Sequence, residues 1–212
     1  MTALCQPDCS LVERGERTIT MLIAAKLRAG AREGICRIRN VSTGGMMIES
    51  RMPLRCDEAV AVELRDRPEV HGLVAWVQDG RCGIRLEAEL ALDDLLSVAP
   101  QRQSRITRTR VARSPRMQVN CRAEVELACG RVEASLLDIS QGGARLSMPL
   151  VTQRHERLLL MVPGLPMKLG VVRWSGSEVG IAFAQPLSFD LLAEWLLVRE
   201  GAEVLPVGIE DD

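Results

Sequence analysis

The sequence predicts an all-β fold with short helices, built as two similar domains in tandem. One observation behind this is local. From Thr18 to Leu86, short apolar–polar alternations are cut by turn signals at Ala29-Gly30, Gly44-Gly45, Asp66-Arg67-Pro68 and Asp79-Gly80. That spacing belongs to a barrel or sandwich of short strands. The other observation is a repeat. The segment from Asn40 through Ser42 to Gly45 (NVSTGG) returns as DISQGG from Asp138 through Ser140 to Gly143, and GLVAW ending at Trp76 returns as GVVRW ending at Trp174, both at an offset of 98 residues (138 less 40, 174 less 76). Gly83-Ile84 answers Gly180-Ile181, slipped by one residue. Repeats of about a hundred residues are of ordinary domain size. We therefore expect a first domain over residues 11–99 and a second over 100–212.

Residues 1–10 read as a loose tail. The strands of the first domain follow, and Leu90 to Val98 changes period: Leu92, Leu95 and Leu96 recur at helical spacing, with Asp93 and Asp94 in an early turn and Pro100 as the stop. Residues 100–112 form a linker rich in arginine. Six arginines lie between Arg102 and Arg116 with no acid among them. The second domain predicts strands near 117–128, 131–140, 143–148, 156–162, 167–175 and 179–184. A closing helix is expected from about Ser188, a suitable N-cap, to Arg199. Its stripe of Leu191, Leu192, Trp195 and Leu196 would seat it on a barrel mouth. The tail from Glu203 ends in acidic residues and reads as solvated.

Composition excludes several classes. The chain has a formal net charge of -1, which gives no whole-molecule attraction to nucleic acid or membrane. Aromatic content is 2% with no Tyr, so base-stacking platforms are scarce. The seven cysteines include no C-x-x-C pair and have no histidine nearby in sequence, which argues against a zinc site and for free thiols in a reducing cytoplasm. No signal peptide and no apolar run of membrane-spanning length are apparent, so a soluble cytoplasmic chain without membrane insertion is expected. No nucleophile elbow, Walker loop, H-E-x-x-H or supported carboxylate pair occurs, and no catalytic residue, metal or cofactor is assigned. Trp76 and Trp174 read as core or barrel-mouth residues, and His71 and His155 as surface or turn positions.

The stretch from Arg110 to Ser147 carries the chemistry. Asp138 and Ser140 are two apart on a strand and share a face. Gly142-Gly143 lets the backbone turn sharply and lets a ligand come close. A carboxylate there can accept from the N–H groups on guanine's Watson–Crick edge. A guanidinium fork matches a phosphate, or guanine O6 and N7, and its plane stacks on a base. The same Asp-x-Ser-x-Gly-Gly pattern also stabilises hairpin turns, and spacing alone leaves both roles open.

Both halves resemble PilZ domains, the bacterial receptors for cyclic di-GMP. That family's pattern is R-x-x-x-R, then [D/N]-x-S-x-x-G about twenty residues later, then a late G-x-V-x-W…G-I-x-F stretch. The second motif stands twice here, as Asn40, Ser42, Gly45 and as Asp138, Ser140, Gly143. The late stretch is near complete as Gly170, Val172, Trp174, Gly180, Ile181 and Phe183; in the first copy Leu86 replaces the Phe. The resemblance covers roughly residues 14–199. It implies two six-stranded antiparallel barrels, each followed by a helix, with the arginine loop folding over a ligand on the barrel's outer face. The arginines depart from the pattern: Arg116 holds the second position, Ala112 the first, and Arg113 and Arg110 lie nearby. In the first copy Arg14 and Arg17 have the same shortened spacing, with Glu13 directly before the one and Glu16 directly before the other.

On this resemblance the expected ligand is cyclic di-GMP. Arg110, Arg113, Arg116, Asp138, Ser140 and Gly143 would form the main site, and Arg14, Arg17, Asn40, Ser42 and Gly45 a weaker one. The expected output is contact with an effector protein in motility, biofilm or polysaccharide control. The alternative is an adaptor whose barrels bind proteins without nucleotide. A nucleic-acid role for the arginine run is the third reading.

Overall fold

The computed structural model describes residues 19–63, 69–90 and 114–203. The N-terminal tail, the turn at residues 66–68, all but Leu90 of the expected helix at 90–98, the arginine linker at 100–112 and the C-terminal tail lie outside the described residues.

The first six strands are β1 (Ile19–Ala29), β2 (Arg32–Val41), β3 (Gly45–Ser50), β4 (Ala59–Glu63), β5 (Val70–Gln78) and β6 (Arg81–Leu86). The second six are β7 (Met117–Leu127), β8 (Gly130–Ser140), β9 (Gly143–Ser147), β10 (Arg157–Met161), β11 (Lys168–Ser175) and β12 (Val179–Phe183), followed by helix α1 (Phe189–Glu203). Each set closes into an antiparallel barrel, in the order β1-β2-β3-β6-β5-β4 and β7-β8-β9-β12-β11-β10. Closure leaves no free sheet edge in either barrel. Alternation fills each interior: Leu27, Ile38, Ile48, Val62 and Val74 in the first, Val125, Leu136, Ile139, Leu146 and Val172 in the second, all fully buried.

The strand pattern is interrupted at three matched places in each barrel. Register shifts fall between Thr20 and Ile23, Ile38 and Asn40, and Val74 and Trp76; they recur between Gln118 and Cys121, Leu136 and Asp138, and Val172 and Trp174. An extra residue in one strand flips the alternation. Leu136 and Val172 therefore point inward, while Asp138 and Trp174, two residues on, point outward. This corrects the expectation that the two tryptophans are core or barrel-mouth residues. Trp76 and Trp174 are 41% and 45% exposed, lying on the outer walls against Gly83 and Gly180.

The closing helix forms as expected and extends to Glu203. Ser188 caps it, its Oγ accepting from the Leu191 N–H at 3.2 Å. Leu192, Trp195 and Leu196 are buried on the second barrel, and Trp195 Nε1 donates to the Pro163 carbonyl at 2.9 Å. The start of the helix also meets the first barrel. The Arg37 guanidinium lies 4.1 Å from the Phe189 ring centroid, Arg51 Nη2 is 3.4 Å from Asp190 Oδ1, and Ile35 joins the second barrel's core. Burial pushes the Cys36 thiol up and the Cys82 thiol up to about 11.

The paired glycines of each turn are not equivalent. A Cβ on Gly143 would stand 2.2 Å from the Ile181 carbonyl oxygen, whereas one on Gly142 would meet nothing within 4 Å. Gly143→Ala is expected to cost about 1–3 kcal/mol in a urea melt through overpacking. Gly142→Ala should leave the midpoint within about 0.5 kcal/mol of the parent. Equal effects from the two would contradict this.

Candidate functional site

The outward-facing residues of five strands line up across the second barrel. Trp174 on β11 pairs with Gly180 on β12, Gly180 with Arg145 on β9, Arg145 with Asp138 on β8, and Asp138 with Gln118 on β7. Cross-strand partners share a face, so these five form one row on the outer wall. Ser140 and Gly143 pair beside it.

Asp138 is the centre of the row. It is 3% exposed, yet both its oxygens are engaged: Arg116 Nη1 donates to Oδ1 at 2.7 Å and Arg145 Nε to Oδ2 at 2.6 Å. A carboxylate so far removed from water requires charged donors of this kind. Arg145 is itself held from several sides. Its Nη1 reaches Glu178 Oε2 at 3.0 Å and its Nη2 Gln118 Oε1 at 3.4 Å. Its hydrogen bond to Asp138 raises the guanidinium above the ordinary arginine value, and the Asp138 and Glu178 charges add to the effect. Arg116, by contrast, pairs among the described residues with Asp138 alone, and its side chain is 49% exposed.

Ser140 serves the turn. Its Oγ donates to the Gly143 carbonyl at 3.2 Å and it is buried. The next residue, Gln141, ties two other segments together. Ser114 Oγ donates to Gln141 Oε1 at 3.0 Å, Gln141 Nε2 donates to the Leu187 carbonyl at 3.1 Å, and the Leu187 N–H donates to the Gln141 carbonyl at 2.8 Å. The turn that carries the candidate site is thus joined both to the end of the arginine-rich stretch and to the entry of α1.

Of the expected main site, Arg116, Asp138, Ser140 and Gly143 come together on this wall. Arg110 and Arg113 lie outside the described residues, as do Arg14 and Arg17 of the weaker site. The first barrel builds the same row from different side chains: Trp76, Gly83, Met47, Asn40 and Thr20. Its turn is conserved in form, with Ser42 Oγ donating to the Gly45 carbonyl at 3.1 Å. Its row carries no charge. Neither Arg145 nor Glu178 was singled out in the sequence. The signal was present, because Arg145 stands two residues beyond Gly143, in the outward phase of a strand that opens at that glycine. Among the described residues no cluster of three or more metal-ligating side chains occurs.

A family model described as "PilZ domain" matches residues 13–97 and 110–197. The chain belongs to the PilZ-domain family. Each PilZ segment contains one of the two barrels. Among solved structures the PilZ tandem is similar to the Borreliella burgdorferi PlzA protein in complex with c-di-GMP, at 13% identity, covering 85% of this chain and 93% of that one, with a TM-score of 0.34. It is also similar to the Bacillus subtilis inhibitor of motility MotI/DgrA, at 16% identity over 88% of this chain and 100% of that one, TM-score 0.33. A third similar structure is Escherichia coli YcgR in complex with c-di-GMP, at 12% identity, 86% of each chain and TM-score 0.32. No curated protein matches.

The Asp138–Arg145 pair can be tested by a double-mutant cycle. Arg145→Met, the residue of the first barrel, leaves a buried carboxylate with one cation and is expected to cost about 1–3 kcal/mol in chemical denaturation. Adding Asp138→Asn, again the first barrel's residue, removes the buried charge. The double variant should be more stable than the sum of the singles by about 1–2 kcal/mol, and strict additivity would show that the two side chains are not coupled.

Proposed function

We propose that this chain is a non-enzymatic receptor for cyclic di-GMP, binding the messenger on the outer wall of the second barrel and passing the event to a protein partner. The observation that carries this reading is the charged row around Asp138, set against the uncharged row at the same place in the first barrel. Cyclic di-GMP is two phosphates and two guanines. Arg116, with Arg110 and Arg113 from the adjoining stretch, would hold phosphate oxygens and stack on base faces. Asp138 would accept from a guanine edge. Ser140 would hold the turn, in which Gly143 lets β9 lie close against the Ile181 carbonyl of β12. Membership of the PilZ family supports the choice of ligand.

The route to an output runs through Gln141. A ligand that reorders the segment before β7 acts on Ser114, which bonds Gln141, which bonds Leu187 at the head of α1. The first residues of α1 touch Arg37 and Arg51 of the first barrel. A change at the site would thus bear on how the two barrels meet, and through that on an effector in motility, biofilm or polysaccharide control. We assign the receptor to the cytoplasm; among the described residues no helix is long and apolar enough to cross a membrane. The first barrel, with Asn40 and Met47 in its row, is read as the weaker or silent partner.

A second reading is an adaptor that binds proteins without nucleotide. It draws on the fact that both Asp138 oxygens are already taken by the chain's own arginines.

Calorimetry separates the two. We expect binding at micromolar concentration or below, weakened about 10–100-fold by Asp138→Ala and by Arg116→Ala, as for loss of a charged hydrogen bond. Asn40→Ala should leave the main isotherm unchanged. No heat for the intact protein, or affinity indifferent to both second-barrel substitutions, would favour the adaptor.

A further inference from the structure

The two arginines on Asp138 are held very differently, and this difference has a functional reading. Arg145 projects from the middle of a paired strand, and its three nitrogens meet three separate side chains: Asp138, Glu178 and Gln118. Its plane is fixed by that fork. Arg116 stands just before β7, where strand pairing has not begun, and is 49% exposed with one ion pair. The sequence adds a second contrast. At the offset of 98, Asp138, Arg145 and Arg116 correspond to Asn40, Met47 and Thr18. The acid and both of its cations are replaced together, as expected if the three operate as one unit.

We infer that Arg145 is the permanent counter-ion of Asp138, a positioning residue for the ligand acceptor, and that Arg116 is an exchangeable plug occupying the acceptor oxygen a guanine edge would use. The inference rests on the proposed function. With Arg145 on Oδ2, Asp138 is kept charged and aimed, and Oδ1 is the oxygen that can change partners. In the free protein Arg116 fills it. When guanine N–H groups take Oδ1, Arg116 is released beside a ligand that brings phosphates, and it pairs with one of them. One ion pair is exchanged for another, and the buried carboxylate is never left without donors. Arg145 also supplies a cation on the wall of a protein whose R-x-x-x-R pattern has Ala112 at its first position. A ligand offering only a base must displace Arg116 with no compensation. The site thereby discriminates against nucleosides and for phosphate-bearing guanine compounds.

The experiment uses two probes on the full chain, guanosine by NMR titration and cyclic di-GMP by calorimetry, with Arg116→Met and Arg145→Met beside the parent. Without its plug, Arg116→Met should bind guanosine about threefold or more tighter than the parent, yet cyclic di-GMP about tenfold or more weaker. Arg145→Met should weaken both probes about tenfold. If Arg145→Met does not fold, Arg145→Lys, which keeps the charge and loses the fork, should bind both probes with intermediate affinity. Guanosine binding that falls in Arg116→Met, or that is unchanged in the Arg145 variant, overturns the division of roles. Failure of the parent to bind cyclic di-GMP overturns the proposed function itself and this inference with it. A parent that binds while the variants show the opposite pattern overturns only the inference.

Discussion

A single irregularity in β8 decides which side of the barrel wall the acid faces. Leu136 is packed in the interior, and strict alternation would send Asp138 after it. A carboxylate there would sit among Leu146, Val172 and Ile181, where burial without a donor costs several kcal/mol or forces the group to take up a proton. The extra residue between them turns Asp138 to the outer surface, where β9 already presents a guanidinium. The matching irregularity in β11 does the same for Trp174, and the one in β7 falls just after Gln118. The row that forms the candidate site exists because three strands lose register where they cross it.

That dependence explains what could be read in advance. The tandem plan was legible because a repeat at fixed offset needs no knowledge of three-dimensional detail, and because Gly, Pro and Asp mark turns by local stereochemistry. The second-barrel strands and the Ser188 cap were legible for the same reason. The location of Trp76 and Trp174 was not. A large aromatic in an alternating strand reads as interior, and one inserted residue reverses that reading without changing composition. Arg145 escaped notice for a related reason: as a lone charge in GARLS it looks like an ordinary solvent-facing residue. Only the pairing of β8 with β9 brings it to Asp138.

The two barrels show how one scaffold carries different surfaces. Interior positions, turns and even the strand irregularities are shared. The outer row is where they part, with Arg145 and Asp138 in one and Met47 and Asn40 in the other. An outward side chain contributes little to the core, so its chemistry can change while the barrel stands. Within a single chain, the first barrel is therefore a natural reference for what the second has in addition.

The helix α1 has a consequence for the chain as a whole. One of its faces seals the second barrel, its leading turn meets Arg37 and Arg51 of the first, and Ile35 of the first joins the second barrel's core. The same few residues thus belong to the hydrophobic interior of one half and the boundary of the other. Neither half is a detachable bead. Severing them would bare Ile35 on one fragment and Phe189 on the other, and heat should melt the pair as a joint transition, with each barrel lending the other part of its resistance to unfolding.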